Sequence, residues 1–201
     1  SFTCIDDDYH DWQNEHRKAA LFLCDRVIRA DVDTAPGKKM KIFSFGKDNN
    51  YKTSQVRAWL QKNSQNSSFC LEPIHTGIQT AYTGSTAAGA FSQTSGRELV
   101  RHDIGFQLMN DQLFCLSLEE ALAYREYLWR FDSGDDNPQS QVSAYSQGYY
   151  LRTPFYLQDE NGKFIYNQQI YGVDLVNGCL RPVRTDSETY GVRPAFALSQ
   201  M

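Results

Sequence analysis

The chain has 201 residues, 41% hydrophobic and 22% charged, which suffices for one full hydrophobic core and argues against the disordered and fibrous classes. A formal net charge of −4, with scattered basic residues and Lys38-Lys39 as the longest basic run, argues against a general nucleic-acid binder. No apolar run approaches the roughly 18 residues of a membrane helix, and the N-terminus lacks the basic-then-apolar pattern of a signal peptide.

Taken in chain order, Phe2-Thr3-Cys4-Ile5 and Ala19 to Ile28 read as two strands joined by a polar, acidic excursion from Asp6 to Lys18. Asp6-Asp7-Asp8 reads as a charged turn, because its spacing is not the alternating one of a calcium loop. The chain opens on Ser1 rather than Met, which leaves room for an upstream segment. A turn near Asn49-Asn50-Tyr51 leads into a first helix, with Ser54 as N-cap and Val56, Trp59 and Leu60 on one face. From Gln61 to Asn110 the sequence is polar and weakly periodic. A compact domain does not readily hold a structureless loop of that length, so short strands or a turn of helix are expected there.

Leu113 to Leu116 reads as a strand that runs straight into Ser117-Leu118-Glu119-Glu120, a capping box. The helix behind it shows Leu118, Ala121, Leu122 and Leu128 on one face and is expected to reach about Trp129 or Arg130, before Gly134 and Pro138. Seven of the twelve tyrosines lie between Tyr145 and Tyr190. Within that segment Asn161-Gly162 predicts a hairpin between Phe155-Tyr156-Leu157 and Phe164-Ile165-Tyr166, and Asn177-Gly178 a second turn. A last strand is expected over Val192 to Leu198. Two helices followed by a β-meander give an α+β order in a single domain over 1–201.

The five cysteines, at 4, 24, 70, 115 and 179, form no C-x-x-C motif. Cys24 and Cys115 sit in apolar runs and read as buried, inert thiols, whereas Cys4 is left open to bridge Cys70 or Cys179. There is no G-x-S-x-G elbow, no Gly-rich phosphate loop and no H-E-x-x-H. The four histidines (His10, His16, His75, His102) share no metal-ligand spacing. No cofactor and no metal are expected.

Tyr149-Tyr150-Leu151-Arg152-Thr153-Pro154 and Gly191-Val192-Arg193-Pro194-Ala195-Phe196 together resemble a bacterial family of unknown function, abundant in gut Firmicutes. That family carries a Trp-Trp-Leu-Arg-Ser-Pro segment and a closing Gly-Val-Arg-Pro-Ala strand. Leu21 to Val27, Val56-Arg57-Ala58-Trp59-Leu60 and Phe114 to Glu120 match its upstream strand, helix and strand-to-helix junction in the same order. Tyr149-Tyr150 departs from its Trp pair, and Gln61 to Asn110 matches poorly. The resemblance implies a C-type-lectin-like fold, related to that of the formylglycine-generating enzyme: two helices packed on a small, mostly antiparallel sheet with long irregular loops. It also implies a binding role, since some members of this fold are the variable proteins of diversity-generating retroelements. The variable segment would here run roughly from Tyr149 to Tyr190.

The residue chemistry of that segment points the same way. Tyr149, Tyr156, Gln158, Asp159, Tyr166, Asn167, Gln168, Tyr171, Asp174, Asp186 and Tyr190 supply rigid aromatic area and adaptable hydrogen bonds, as paratopes do, for a protein or glycan ligand. The competing reading places half of these tyrosines in a small β core with their hydroxyls reaching the surface. Arg152 and Arg193 lie between apolar residues, where a guanidinium needs a carboxylate or several carbonyls, so both read as structural pins rather than anion sites.

Two other functions on the same fold are weaker. An oxidase of the formylglycine-generating type needs a closely spaced cysteine pair near the C-terminus to hold copper, and Cys179 stands alone there. Relatives that oxidise thiols with iron need a histidine triad. A calcium-dependent lectin needs a Glu-Pro-Asn or Gln-Pro-Asp loop; Glu72-Pro73-Ile74 lacks the third ligand and Asp135-Asp136-Asn137-Pro138 has its acids in the wrong order.

Overall fold

The computed structural model describes residues 1–10, 19–28, 44–65, 74–83, 91–92, 100–131, 147–158, 161 and 164–199. In chain order these form β1 (Phe2–Tyr9), β2 (Ala19–Cys24), a 3-10 turn (Tyr51–Thr53), α1 (Gln55–Ser64), β3 (Ile74–Thr83), β4 (Phe91–Ser92), β5 (Val100–Asp111), α2 (Leu118–Ala123), a second 3-10 turn (Arg125–Tyr127), β6 (Gly148–Gln158), β7 (Phe164–Asp174), β8 (Cys179–Arg184), β9 (Tyr190–Gly191) and β10 (Ala195–Ser199). The strands build sheets in the orders β1-β2-β10, β3-β5 and β4-β8-β7-β6-β9. All pairs are antiparallel except the short contact of β6 with β9. Among the described residues the class is α+β, with two helices and mostly antiparallel sheets.

The first helix forms as its sequence dictates. Ser54 caps it, its Oγ accepting the Arg57 N–H at 3.0 Å, and Val56, Trp59 and Leu60 face inward. Between Gln61 and Asn110, β3 and β5 make a long antiparallel ribbon from Ile74 opposite Asp111 to Thr83 opposite Val100, so the polar stretch holds longer strands than expected.

Three local expectations are corrected. Asp6-Asp7-Asp8 is not a turn but the bulged end of β1, with register shifts between Cys4 and Asp6 and between Asp6 and Tyr9. Ile5 and Tyr9 are both buried against β2, and the irregularities take up the residues between them. The second helix ends at Ala123 and tightens into the 3-10 turn, well short of Trp129. The carbonyls of Tyr127, Leu128 and Arg130 are thereby turned onto the Arg193 guanidinium. The expected last strand is interrupted. Val192 exchanges both backbone hydrogen bonds with Ile28, at 2.7 and 2.8 Å, and Pro194 has no N–H for a ladder, so β9 and β10 join different sheets.

The five-stranded sheet lies between two apolar clusters. One joins Leu21, Leu23, Phe114, Leu116, Leu118, Tyr149, Leu151, Tyr171 and Val173. The other joins Phe45, Tyr51, Val56, Leu60, Tyr150, Ile170, Tyr190 and Val192. Neighbours such as Tyr149 and Tyr150 thus enter opposite clusters, following the period of two along a strand. Both faces of the β6–β7 pair are covered over this stretch.

Candidate functional site

The β6–β7 ladder is interrupted twice. Gly148, Tyr149 and Tyr150 face Asp174, Val173 and Gly172; Pro154 and Phe155 face Ile170 and Gln169; Leu157 and Gln158 face Ile165 and Phe164. At the first break Leu151, Arg152 and Thr153 of β6 face Tyr171 alone. At the second break Tyr166, Asn167 and Gln168 of β7 face Tyr156 alone. Each is a bulge, on opposite strands of one hairpin.

The first bulge turns inward. Arg152 is fully buried and makes a fork on Glu120, Nη1 to Oε2 at 2.6 Å and Nη2 to Oε1 at 2.9 Å, while Nη1 also donates to the Cys115 carbonyl at 2.6 Å. Glu120 is at the same time the reciprocal half of the capping box: its Oε2 accepts the Ser117 N–H at 2.8 Å and Ser117 Oγ accepts the Glu120 N–H at 3.1 Å. Tyr9 adds its hydroxyl to Oε1 at 2.8 Å. Burial alone would push the Glu120 carboxyl up, but the Arg152 charge and the converging donors outweigh it and hold the carboxyl below its ordinary range. Thr153 completes the bulge, its Oγ1 accepting the Leu118 N–H at 2.8 Å.

Arg193 is pinned by carbonyls instead of a carboxylate. Its donors reach Cys24 O at 2.6 Å, Leu128 O at 2.9 Å, Tyr127 O at 3.1 Å and Arg130 O at 2.5 Å, and its guanidinium lies 4.4 Å from the Phe131 ring centroid. Both arginines are therefore pins of the kind their apolar flanks demand.

The second bulge turns outward. Gln168 is exposed and takes a left-handed φ of 53°, which a non-glycine residue adopts only under local constraint. Two contacts supply that constraint. The Thr185 N–H donates to the Gln168 carbonyl at 3.1 Å. Asn49, itself buried, donates from Nδ2 to the carbonyls of both members of the adjoining pair, Phe155 at 3.2 Å and Gln169 at 3.0 Å. Asn49 and Thr185 were not singled out in the sequence, where Asn49-Asn50 signals only a turn.

The eleven residues expected to form a ligand surface therefore divide. Tyr149, Tyr171, Asp174 and Tyr190 are buried, which corrects the expectation of a displayed face at those positions. Tyr149 donates its hydroxyl to Leu128 O at 2.9 Å, Tyr171 is fully enclosed with its ring edge-on to Phe155, and the Tyr190 ring lies over the bare Gly148 and Gly172, where added Cβ atoms would meet it at 2.8 and 3.3 Å. Asp174 builds the turn after β7, accepting the Val176 and Asn177 N–H groups at 2.9 Å each and Arg181 Nη1 at 3.2 Å. Asp186 is exposed and pairs with Arg184 at 2.6 Å, one strand away, and Tyr156 is half-buried. Tyr166 and Asn167 are placed in β7 and Gln158 in β6 by their backbone alone, and Asp159 lies outside the described residues. The outward bulge is what brings Tyr156, Tyr166, Asn167 and Gln168 to one place.

Cys4, Cys24, Cys115 and Cys179 are free thiols, so Cys4 and Cys179 do not bridge, and Cys70 lies outside the described residues. Burial pushes the Cys115 thiol up to about 12. Asp111 is held by Arg57 at 2.8 Å and by the Thr76 hydroxyl at 2.7 Å. Among the described residues no group of three or more His, Cys, Asp or Glu side chains is arranged to hold a metal ion, and no helix is long and apolar enough to cross a membrane. Glu72-Pro73 and Asp135 to Pro138 fall outside the described residues.

No curated protein and no solved structure matches this chain. The chain belongs to the family described as Domain of unknown function (DUF6273), whose model matches residues 22–200.

Proposed function

We propose that the domain is a non-enzymatic recognition module, built on a C-type-lectin-like fold, that holds a protein or glycan ligand against the outward bulge of the β6–β7 hairpin. The observation that carries this reading is the extrusion of Tyr166-Asn167-Gln168 opposite Tyr156, with Gln168 kept at positive φ. Bulges re-aim side chains, and backbone strain of this kind persists where the surroundings over-determine it, as at binding sites. The residue types are those of a paratope: a half-buried tyrosine beside amides that bond in either sense. The acids and thiols of the core support the non-enzymatic side, because Glu120, Asp111 and Asp174 are consumed by internal donors and Cys115 is held protonated. A sheet that carries both the first and the last described strand on either side of β2, and two short helices among the described residues, support the fold reading.

The test probes panels of glycans and purified surface proteins with the intact domain and with Tyr156→Ala/Gln168→Ala. Binding that is lost in the double variant at unchanged melting temperature supports the reading. Binding that survives the double variant, or a domain that binds no member of either panel, overturns it. If the locus is diversified, sequencing codons 149 to 190 across a natural population will show substitutions at codons 156, 166, 167 and 168 and constancy at codons 149, 152, 171 and 174.

A further inference from the structure

The two bulges are a matched pair. Gly148 opposite Asp174 at one end of the hairpin and Gln158 opposite Phe164 at the other belong to one and the same register. Continued without interruption, that register would set Leu151 opposite Tyr171, Phe155 opposite Asn167 and Tyr156 opposite Tyr166. Only the middle departs from it: Pro154 and Phe155 meet Ile170 and Gln169, displaced by two residues, and each bulge absorbs one end of the displacement.

A two-residue slip keeps every side chain on its own face of the sheet, because the strand period is two. The apolar pattern of β6 and β7 therefore does not by itself choose between the bulged and the uninterrupted ladder. The inward bulge supplies the choice. Only there do the Arg152 fork on Glu120, the Arg152 N–H to Leu116 O at 2.9 Å and the Leu118 N–H to Thr153 Oγ1 at 2.8 Å all form. At the far end the pairs Leu157–Ile165 and Gln158–Phe164 hold the strands in the shared register. The residues left over between these two anchors are the outward bulge.

We propose that Arg152 is a positioning residue for the recognition surface: its insertion beside Glu120 displaces the middle of the ladder and thereby holds Tyr166-Asn167-Gln168 out. As a statement about ligand display this rests on the recognition reading; as a statement about register it stands apart from it. Withdrawal of the pin lets the middle pairs return to the register of the two ends, and the displayed segment becomes ordinary strand facing Tyr156.

The experiment reads register directly with an introduced cysteine pair, Tyr156→Cys and Tyr166→Cys. These positions form a paired rung only in the uninterrupted ladder, and a cross-strand disulfide forms only when Cβ atoms come within about 4.5 Å. The linked fraction after mild oxidation is measured by peptide mapping in two backgrounds, the pinned chain and Arg152→Met/Glu120→Leu, in which neither charge is left buried alone. Linkage that is low in the pinned chain and rises several-fold without the pin is the expected result. Equal linkage in both backgrounds overturns the proposal.

A second comparison serves if the pin-less chain fails to fold. In the pinned chain Gln168→Val, whose branched side chain disfavours positive φ, raises the linked fraction, and Gln168→Gly lowers it. A fraction that does not respond to either substitution overturns the proposal as well. No ligand enters these measurements. A hairpin that changes register but whose domain binds nothing sinks the recognition reading alone, whereas ligand binding through Tyr156 with a register indifferent to Arg152 sinks the positioning role alone.

Discussion

The two bulges of the β6–β7 hairpin have the same size and lie on opposite strands, yet one is buried and bonded throughout and the other carries the exposed Gln168. The difference is in what awaits the extruded residues. Leu151-Arg152-Thr153 meets a carboxylate, two carbonyls and an N–H supplied by the segment from Cys115 to Glu120, which forms no strand beyond the single bridge of Phe114 to Ala195. Gln168 receives a backbone N–H from Thr185 on its carbonyl, and Asn49 steadies the pair beside it. A long cationic side chain can be driven into a core where its counter-ion is already positioned by a helix cap. An amide such as that of Gln168 is more stable in water and stays there.

The sharpest way to break this contrast is Arg152→Ala, which leaves Glu120 buried without its partner. Urea unfolding is expected to show a loss of about 3–5 kcal/mol, a large share of the roughly 5–15 kcal/mol of an ordinary domain. Next comes a pair of tyrosines on either side of the division. Tyr171→Ala opens a cavity in the core and should cost about 3 kcal/mol or more, whereas Tyr156→Ala at the outward bulge should cost about 1 kcal/mol or less. Similar losses at both positions in thermal melts would erase the distinction between the inward and outward faces.

The pH dependence sharpens the same contrast from the inward side. Glu120 has a folded pKa below its unfolded value of about 4.3, so its contribution is complete above that pH and is lost as pH falls through the folded value. Tyr9, Tyr51, Tyr149, Tyr150, Tyr171 and Tyr190 are all raised, in each case first by burial. Their contribution is complete below the unfolded tyrosine value of about 10 and is lost as pH rises beyond it, by up to about 1.4 kcal/mol per pH unit for each ring. Melting temperature against pH should therefore fall steeply above pH ~10, and Tyr171→Phe should make that limb shallower. The smallest expected effect is Gln168→Gly. It removes the penalty of a left-handed φ but adds freedom to the unfolded chain, for a net gain of under about 1 kcal/mol in the same melts.

What the sequence makes legible here is chemistry that is local or self-demanding. Ser117 and Glu120 announce a capping box because both halves lie within one turn. Arg152 and Arg193 announce pins because a guanidinium between apolar neighbours has no other tolerable state, although nothing local says that one finds a carboxylate and the other a ring of carbonyls. Asn161-Gly162 places the hairpin, since Leu157 and Gln158 do pair with Ile165 and Phe164. The failures share a cause in distant partners. Tyr149, Tyr171, Asp174 and Tyr190 look displayable until clusters from β2, α1 and the junction before α2 close on both faces of the sheet. The register shifts that make the outward bulge depend on Glu120, thirty-two residues from Arg152, and no period within β6 or β7 reveals them. The short second helix depends likewise on Arg193.

The terminal sheet has a mechanical consequence. β1 and β10 run parallel to each other on either side of β2, with Phe2 at the Cys24 end of the sheet and Ser199 at the Ala19 end. Tension applied between Phe2 and Ser199 drags the two outer strands lengthwise in opposite senses. Every rung on both sides of β2 is then loaded at once in shear, instead of being peeled apart one by one. A domain pulled between these two points would resist until it yielded abruptly.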